Sequence, residues 1–195
     1  MAFRTLLPNG TTAGGAALVG LALTLALQST AQAQVGATPV AHATTTSDSV
    51  CAMPSFSRFD YWAGDWVVRD TSGKVIGTNR VTRDVGGCGL HEHWASTGRE
   101  IGESFTAYSP NDRKWHQMYV GSGGYIFVMS GTFEGDKLVL FTAPRPSMRD
   151  PKVQVIERWT WTPIDSSHLR QHAELSTDGG ATWKTQFDGR YERAR

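Results

Sequence analysis

The chain has 195 residues with 19 Lys and Arg, 18 Asp and Glu and 6 His, a formal net charge of +1. A balance so close to zero argues against a general nucleic-acid binder or a polybasic membrane-surface protein, since both rely on excess positive charge. Hydrophobic residues at 39% against 19% charged give the chain a core to build, and 21 Gly, 7 Trp, 8 Phe and 5 Tyr beside few long helical stretches lean towards β structure.

The N-terminus reads as an export signal over residues 1–33. Arg4 supplies the positive start, and residues 16–27 (AALVGLALTLAL) form a 12-residue apolar run. That run is too short for a bilayer core, which takes roughly 20 residues, but it has the length of a signal's apolar region. Ala31-Gln32-Ala33 offers small residues where a signal peptidase reads, so cleavage is expected after Ala33. Residues 34–50 (QVGATPVAHATTTSDSV) hold no aromatic and read as a flexible leader.

Only two cysteines occur, Cys51 and Cys88. An even count in an exported chain reads as one disulfide. Closing that loop removes about 4 kcal/mol of unfolded-chain entropy in the simplest model.

Residues 51–195 read as one domain. Residues 55–62 (SFSRFDYW) suit a short helical plug, with Ser55 as its cap and Phe56, Phe59 and Trp62 on one side. Ten β-like runs separated by turn signals follow, at 65–70, 75–84, 88–96, 101–108, 114–120, 125–133, 137–142, 152–162, 168–176 and 182–191. Short connections favour antiparallel neighbours. Ten strands in up-and-down order would leave two long edges unless the sheet closed, so the expected fold is an all-β, closed antiparallel barrel with a small interior cavity. A two-sheet sandwich is the alternative.

Gly64-Asp65-Trp66 at the start of the first strand resembles the Gly-x-Trp signature of calycin barrels, the lipocalin and fatty-acid-binding-like group. That likeness implies a Trp closing one barrel end with an Arg of the last strand across its ring, and Arg190 and Arg193 are the candidates. FDYWAGDWVV (59–68), GGCGLHEHW (86–94), the Lys114-Trp115-His116-Gln117 stretch, Trp159-Thr160-Trp161-Thr162-Pro163 and LRQHAELSTDGGATWKTQFDGRY (169–191) together resemble a family of uncharacterised exported bacterial proteins with a calycin-like barrel. The resemblance covers nearly all of residues 51–193 and implies the fold and export; it carries no reaction. Residues 176–183 fit the S-x-D-x-G-x-T-W pattern of an Asp-box hairpin, with Asp178 accepting turn N–H groups and Trp183 packing over the turn. The box occurs once without a 40–50-residue repeat, which excludes a propeller.

The chemical candidates sit on the strands. Alternation in Leu90-His91-Glu92-His93-Trp94 places His91 and His93 on one face and Leu90, Glu92 and Trp94 on the other. Two His at i, i+2 could begin a metal site, completed by His116, His168, His172 or Glu174; the competing reading has both facing solvent. Inside an apolar barrel Glu92 needs a partner, Arg158 or Arg80, or stays protonated with a raised pKa. Trp115, Gln117 and Tyr119 share one face, and Gln171 shares another with Leu169 and Ala173. The small Ala173, where the resembled family carries a larger aromatic, would enlarge the interior.

The expected ligand-binding set is therefore Glu92, Trp94, Trp115, Gln117, Tyr119, Trp161 and Gln171, around a small apolar or aromatic molecule. Its competitor is a self-satisfied polar network filling a narrow barrel. The structural set is Cys51, Cys88, Trp66, Arg190, Arg193, Asp178 and Trp183. No catalytic residue, metal or other cofactor is assigned. The chain is expected to be exported to the periplasm or beyond, monomeric, without nucleic acid and without a membrane span after signal cleavage. Two alternatives are an enzyme using Glu92 as general acid or base beside His116 or His172, and an envelope interaction module with its large apolar patch outside the barrel.

Overall fold

The computed structural model describes residues 50–195. The expected signal and, up to Ser49, the leader lie outside the described residues. Among the described residues no helix is long and apolar enough to cross a membrane.

A 3-10 turn at Val50–Ala52, a one-turn helix α1 at Pro54–Ser57 and a second 3-10 turn at Asp60–Trp62 precede the strands. Ser55 is not the cap. Pro54 takes the first helical position, where its fixed φ suits the turn and its missing N–H costs nothing, so Met53 becomes the preceding residue. Phe56, Phe59 and Trp62 are all buried, Phe59 and Trp62 stacked in the main core and Phe56 against Tyr108.

Eleven strands follow: β1 Gly64–Arg69, β2 Val75–Asp84, β3 Gly89–Ser96, β4 Ile101–Ser109, β5 Lys114–Gly121, β6 Tyr125–Glu134, β7 Lys137–Thr142, β8 Arg145–Pro146, β9 Gln154–Pro163, β10 His168–Ser176 and β11 Lys184–Arg193. Each pairs antiparallel with its sequence neighbour, except that β7 pairs directly with β9 and the two-residue β8 hangs on the start of β9. β1 pairs with β11, and β9 with β10, so ten strands form a closed up-and-down barrel without a free edge. The last strand begins two residues later than expected because the Asp-box turn holds the chain through Trp183.

The helical segment closes the barrel end where β1 begins and β11 ends. Phe59 stacks on Trp62 with centroids 5.0 Å apart and meets Trp115 and Trp161 edge-on at 5.6 Å each. Phe59, Trp62 and Trp161 have no exposed surface. Burying each such ring stabilises the fold by roughly 1.5–3 kcal/mol relative to leaving it in water. Arg193, not Arg190, lies over Trp66, its guanidinium carbon 4.3 Å from the ring centroid, and donates to the Ala63 carbonyl at 2.9 Å. Arg190 is exposed, because alternation along β11 turns its side chain outward between the inward Gly189 and Tyr191. Gly64 has φ +141°, and a Cβ there would collide with the Arg193 guanidinium, which ties the glycine of Gly-x-Trp to the arginine. The Cys51–Cys88 disulfide, Cα atoms 4.8 Å apart, fastens the plug to the turn before β3.

Candidate functional site

Above the aromatic plug the barrel interior changes character. Asn79 (β2), Glu92 (β3), Ser104 and Thr106 (β4), Gln117 (β5) and Gln171 (β10) all point inward and all are at most 5% exposed. They form one chain of hydrogen bonds. Asn79 Nδ2 donates to Glu92 Oε1 at 2.7 Å, and the Ser104 hydroxyl to Glu92 Oε2 at 2.6 Å. Gln117 Nε2 donates to Ser104 Oγ at 3.1 Å and to Thr106 Oγ1 at 2.9 Å. On the other side Asn79 Nδ2 donates to the Tyr191 hydroxyl at 3.2 Å, which donates to Gln171 Oε1. A buried polar group costs free energy unless paired, and this girdle pairs most of its members with one another.

Glu92 therefore has neither Arg80 nor Arg158 as partner. Arg80 meets Asp65 at 2.7 Å and Arg158 meets Glu174 at 2.7 Å, both on the outer face that alternation gives them. Burial pushes the Glu92 carboxyl above its ordinary range, against the opposing pull of the Ser104 and Asn79 hydrogen bonds.

Between the girdle and the other barrel end lies a cavity of about 440 Å3, within the size range of small-molecule sites. An aromatic collar forms its wall. Tyr119 stacks on Phe127 with centroids 6.3 Å apart, Phe127 packs on Trp159 at 6.3 Å, Trp159 on Phe187 at 6.2 Å, and Phe187 on Trp94 at 6.2 Å. Glu92, Gln117, Gln171 and Tyr191 face the cavity from the girdle. At the mouth, Arg145 of β8 lies over Phe127, 5.0 Å from the ring centroid, and forms an ion pair with Glu157. Glu157 Oε2 accepts from Trp159 Nε1 at 3.0 Å. Burial also raises the Tyr119 hydroxyl pKa, with the nearby Glu100 and Glu92 charges adding to it.

Five of the seven expected ligand-binding residues line this cavity: Glu92, Trp94, Gln117, Tyr119 and Gln171. Trp115 and Trp161 do not. Both point inward, but they sit one layer deeper, against Phe59 and Trp62 of the plug. Ala173 is buried and does not itself line the cavity. Its neighbours in register are Trp159 and Phe187, whose rings stack on each other in the cavity wall. The collar residues Phe127, Trp159 and Phe187 and the Arg145–Glu157 pair were not expected. For Trp159 and Glu157 a signal existed, since both share a strand face with Trp161.

The histidines stand outside. His91 Nε2 and His93 Nδ1 both contact the Glu103 carboxylate, and His91 stacks on Phe105 at 4.3 Å. Desolvation pushes the Glu103 pKa up, but the His93 and His91 hydrogen bonds outweigh it and bring it below the ordinary range. His116 contacts Asp112 at 2.9 Å and His168 contacts Asp165 at 2.9 Å, each within its own turn. His172 lies 3.1 Å from Thr185 Oγ1 on the outer face of β10. None of the described histidines faces the cavity beside Glu92, and the described residues contain no group of three metal-ligating side chains placed to share an ion.

The Asp-box turn forms as its chemistry dictates. Asp178 accepts from the Thr182 backbone N–H at 2.9 Å and from the Thr182 and Ser176 hydroxyls at 2.6 and 2.7 Å, which hold its carboxyl well below the usual range. Gly179 and Gly180 take φ +72° and +96°. Trp183 packs outside the barrel, beneath the Arg158 guanidinium at 4.4 Å and against Phe141. A strip of exposed apolar side chains, among them Phe105, Met118, Val120, Ile126 and Val128, runs across the outer faces of β4 to β6. Apolar surface is thus present both inside and outside the barrel. No protein-family model matches the chain, and no curated protein matches it.

Proposed function

We propose that this barrel is an exported carrier or receptor for a small, largely apolar molecule held in the cavity between the polar girdle and the mouth. The carrying observation is the contrast in packing along one interior. The plugged end is filled by rings in mutual contact, whereas the other end leaves about 440 Å3 inside an aromatic collar. An apolar wall with a few convergent polar groups is the composition of a ligand site. The apolar run at 16–27 and the disulfide support export. The calycin-like reading, with Arg193 over Trp66, supports the same use of the interior.

The enzyme alternative receives less support, because His116 and His172, the partners it calls for, lie on the outer face, and the hydroxyls of Tyr119 and Tyr191, which share the cavity with Glu92, are held protonated by burial. Titration with the fluorescent apolar probe N-phenylnaphthylamine tests the proposal. The expected result is saturable binding of one probe per chain, with loss of tryptophan emission, and at least about tenfold weaker binding to Leu175→Trp, which fills the cavity. Absence of saturable binding, or equal binding to the filled variant, overturns it.

A further inference from the structure

Apart from the enclosed Asn79 Oδ1, the girdle leaves amide atoms unmatched at its two ends. Gln117 spends both hydrogens of its Nε2 on Ser104 and Thr106, which leaves Oε1 without a hydrogen-bond partner among the described residues. Gln171 spends its Oε1 on the Tyr191 hydroxyl, which leaves Nε2 equally unmatched. The two residues are 3% and 5% exposed, and both line the cavity. Neither free atom belongs to the fully enclosed, unpartnered set that includes Asn79 Oδ1 and the indole nitrogens of Trp62 and Trp161. Each therefore keeps a surface a ligand can reach. One is an acceptor and the other a donor. An unmatched amide atom in such a place costs free energy until a ligand or water pairs it.

The ionisable groups narrow the ligand further. Among the lining side chains, Glu92, Glu100 and Glu157 are carboxyls, and no Lys, Arg or His accompanies them. Arg145 at the mouth is already committed to Glu157, so a ligand carboxylate or phosphate would be buried against acids without a free cation to pair it. The carboxyls make a poor receiver for a cation as well. Both oxygens of Glu92 already accept, from Asn79 and Ser104. Both oxygens of Glu157 are taken by Arg145 and Trp159. Glu100 stays partly in solvent at the rim, near the Tyr119 hydroxyl. Ser96, Tyr125 and Gln186 also line the cavity but are partly or fully exposed to solvent, so what its buried part has left to offer is aromatic wall, the Gln117 Oε1 acceptor and the Gln171 Nε2 donor.

Resting on the carrier reading above, we propose that the ligand is an uncharged aromatic molecule bearing both a hydrogen-bond donor and an acceptor. The donor meets Gln117 Oε1, the acceptor meets Gln171 Nε2, and the rings pack against the Trp94–Phe187–Trp159 wall. Lactams, aromatic amides and similar heterocycles have this chemistry; fatty acids do not.

A panel of probes of matched size, titrated by tryptophan fluorescence, tests this. It comprises naphthalene, the bicyclic lactam isocarbostyril, naphthoate, naphthylmethylammonium and, for the fatty acids, dodecanoate. The lactam should bind on the order of tenfold tighter than naphthalene, as two small net hydrogen bonds allow. The two anions and the cation should bind at least tenfold more weakly than the lactam. In Gln117→Leu and in Gln171→Leu the lactam-to-naphthalene ratio should fall towards one. The inference is overturned if an anion or the ammonium matches the lactam, or if the preference survives both substitutions. Binding of naphthalene with no lactam preference would sink this inference and leave the carrier reading standing; no saturable binding by any probe would sink both. Should the variants fail to fold, the wild-type ratios alone decide.

Discussion

The two ends of the barrel use the same residue type for opposite purposes. At the plugged end Trp62, Trp66, Trp115 and Trp161 are at most 3% exposed, and all but Trp66, whose ring meets Tyr191, pack directly on Phe59. At the open end Trp94 and Trp159 are only partly buried, and their rings stand as wall around empty volume. The difference lies in what fills the axis. The helical segment at 54–62 inserts Phe59 and Trp62 into one end, and no equivalent segment among the described residues enters the other. Between the two ends the girdle is high-stakes chemistry, since each of its members must find a partner or be left costly.

That contrast can be broken most sharply by truncating one tryptophan at each end. Trp161→Ala should destabilise the fold by about 5 kcal/mol, the upper part of the range for a buried aromatic, because Phe59, Trp62 and Trp159 all lose a contact. Trp159→Ala, on the same strand face two residues away, should cost about 1–2 kcal/mol and abolish probe binding instead. Denaturant unfolding and titration read the two effects, and equal destabilisation by both variants would erase the division between plug and wall. Next in size is the covalent anchor of the plug. Cys88→Ser should lower stability by about 4 kcal/mol in the loop-entropy estimate. An unchanged unfolding midpoint would mean that the plug seats itself without the bridge.

The smallest expected effect concerns Glu92 and sharpens the role of the girdle. Burial holds its folded-state carboxyl above the unfolded value of 4.5. At low pH both states carry the proton. As pH rises through the unfolded value the unfolded chain releases its proton first, so stability falls until the folded group titrates too. Glu92→Gln should remove that part of the decline in Tm, which sets in as pH rises through the unfolded value. Parallel Tm profiles for variant and wild type would show that the carboxyl is ionised in the fold.

Period-2 alternation separates strand faces well: it set Glu92 on the face opposite His91 and His93, and the structure turns Glu92, Gln117 and Gln171 inward and the two histidines outward. It does not read height along the barrel axis. Trp161 and Trp159 are indistinguishable by alternation, and only strand tilt and the depth of the plug put one in the core and the other in the wall. Partners are less legible still. Asn79 and Tyr191 are 112 residues apart and meet only because β11 closes the sheet on β1. The Arg145–Glu157 pair depends on a Pro-rich loop folding back as β8. Arg193 was legible only as one of two arginines, because the expected last strand stopped at 191, two residues short of it, and the sequence did not say which face of that strand points inward.

The central claim is that the occupied surface is the interior cavity and not the apolar strip over β4 to β6. A crystal soaked with bromonaphthalene, measured at the bromine absorption edge, locates the ligand directly. The account predicts one anomalous peak inside the collar, between Trp94 and Trp159. A peak on the outer strip beside Phe105 and Met118, with none in the barrel, would contradict it.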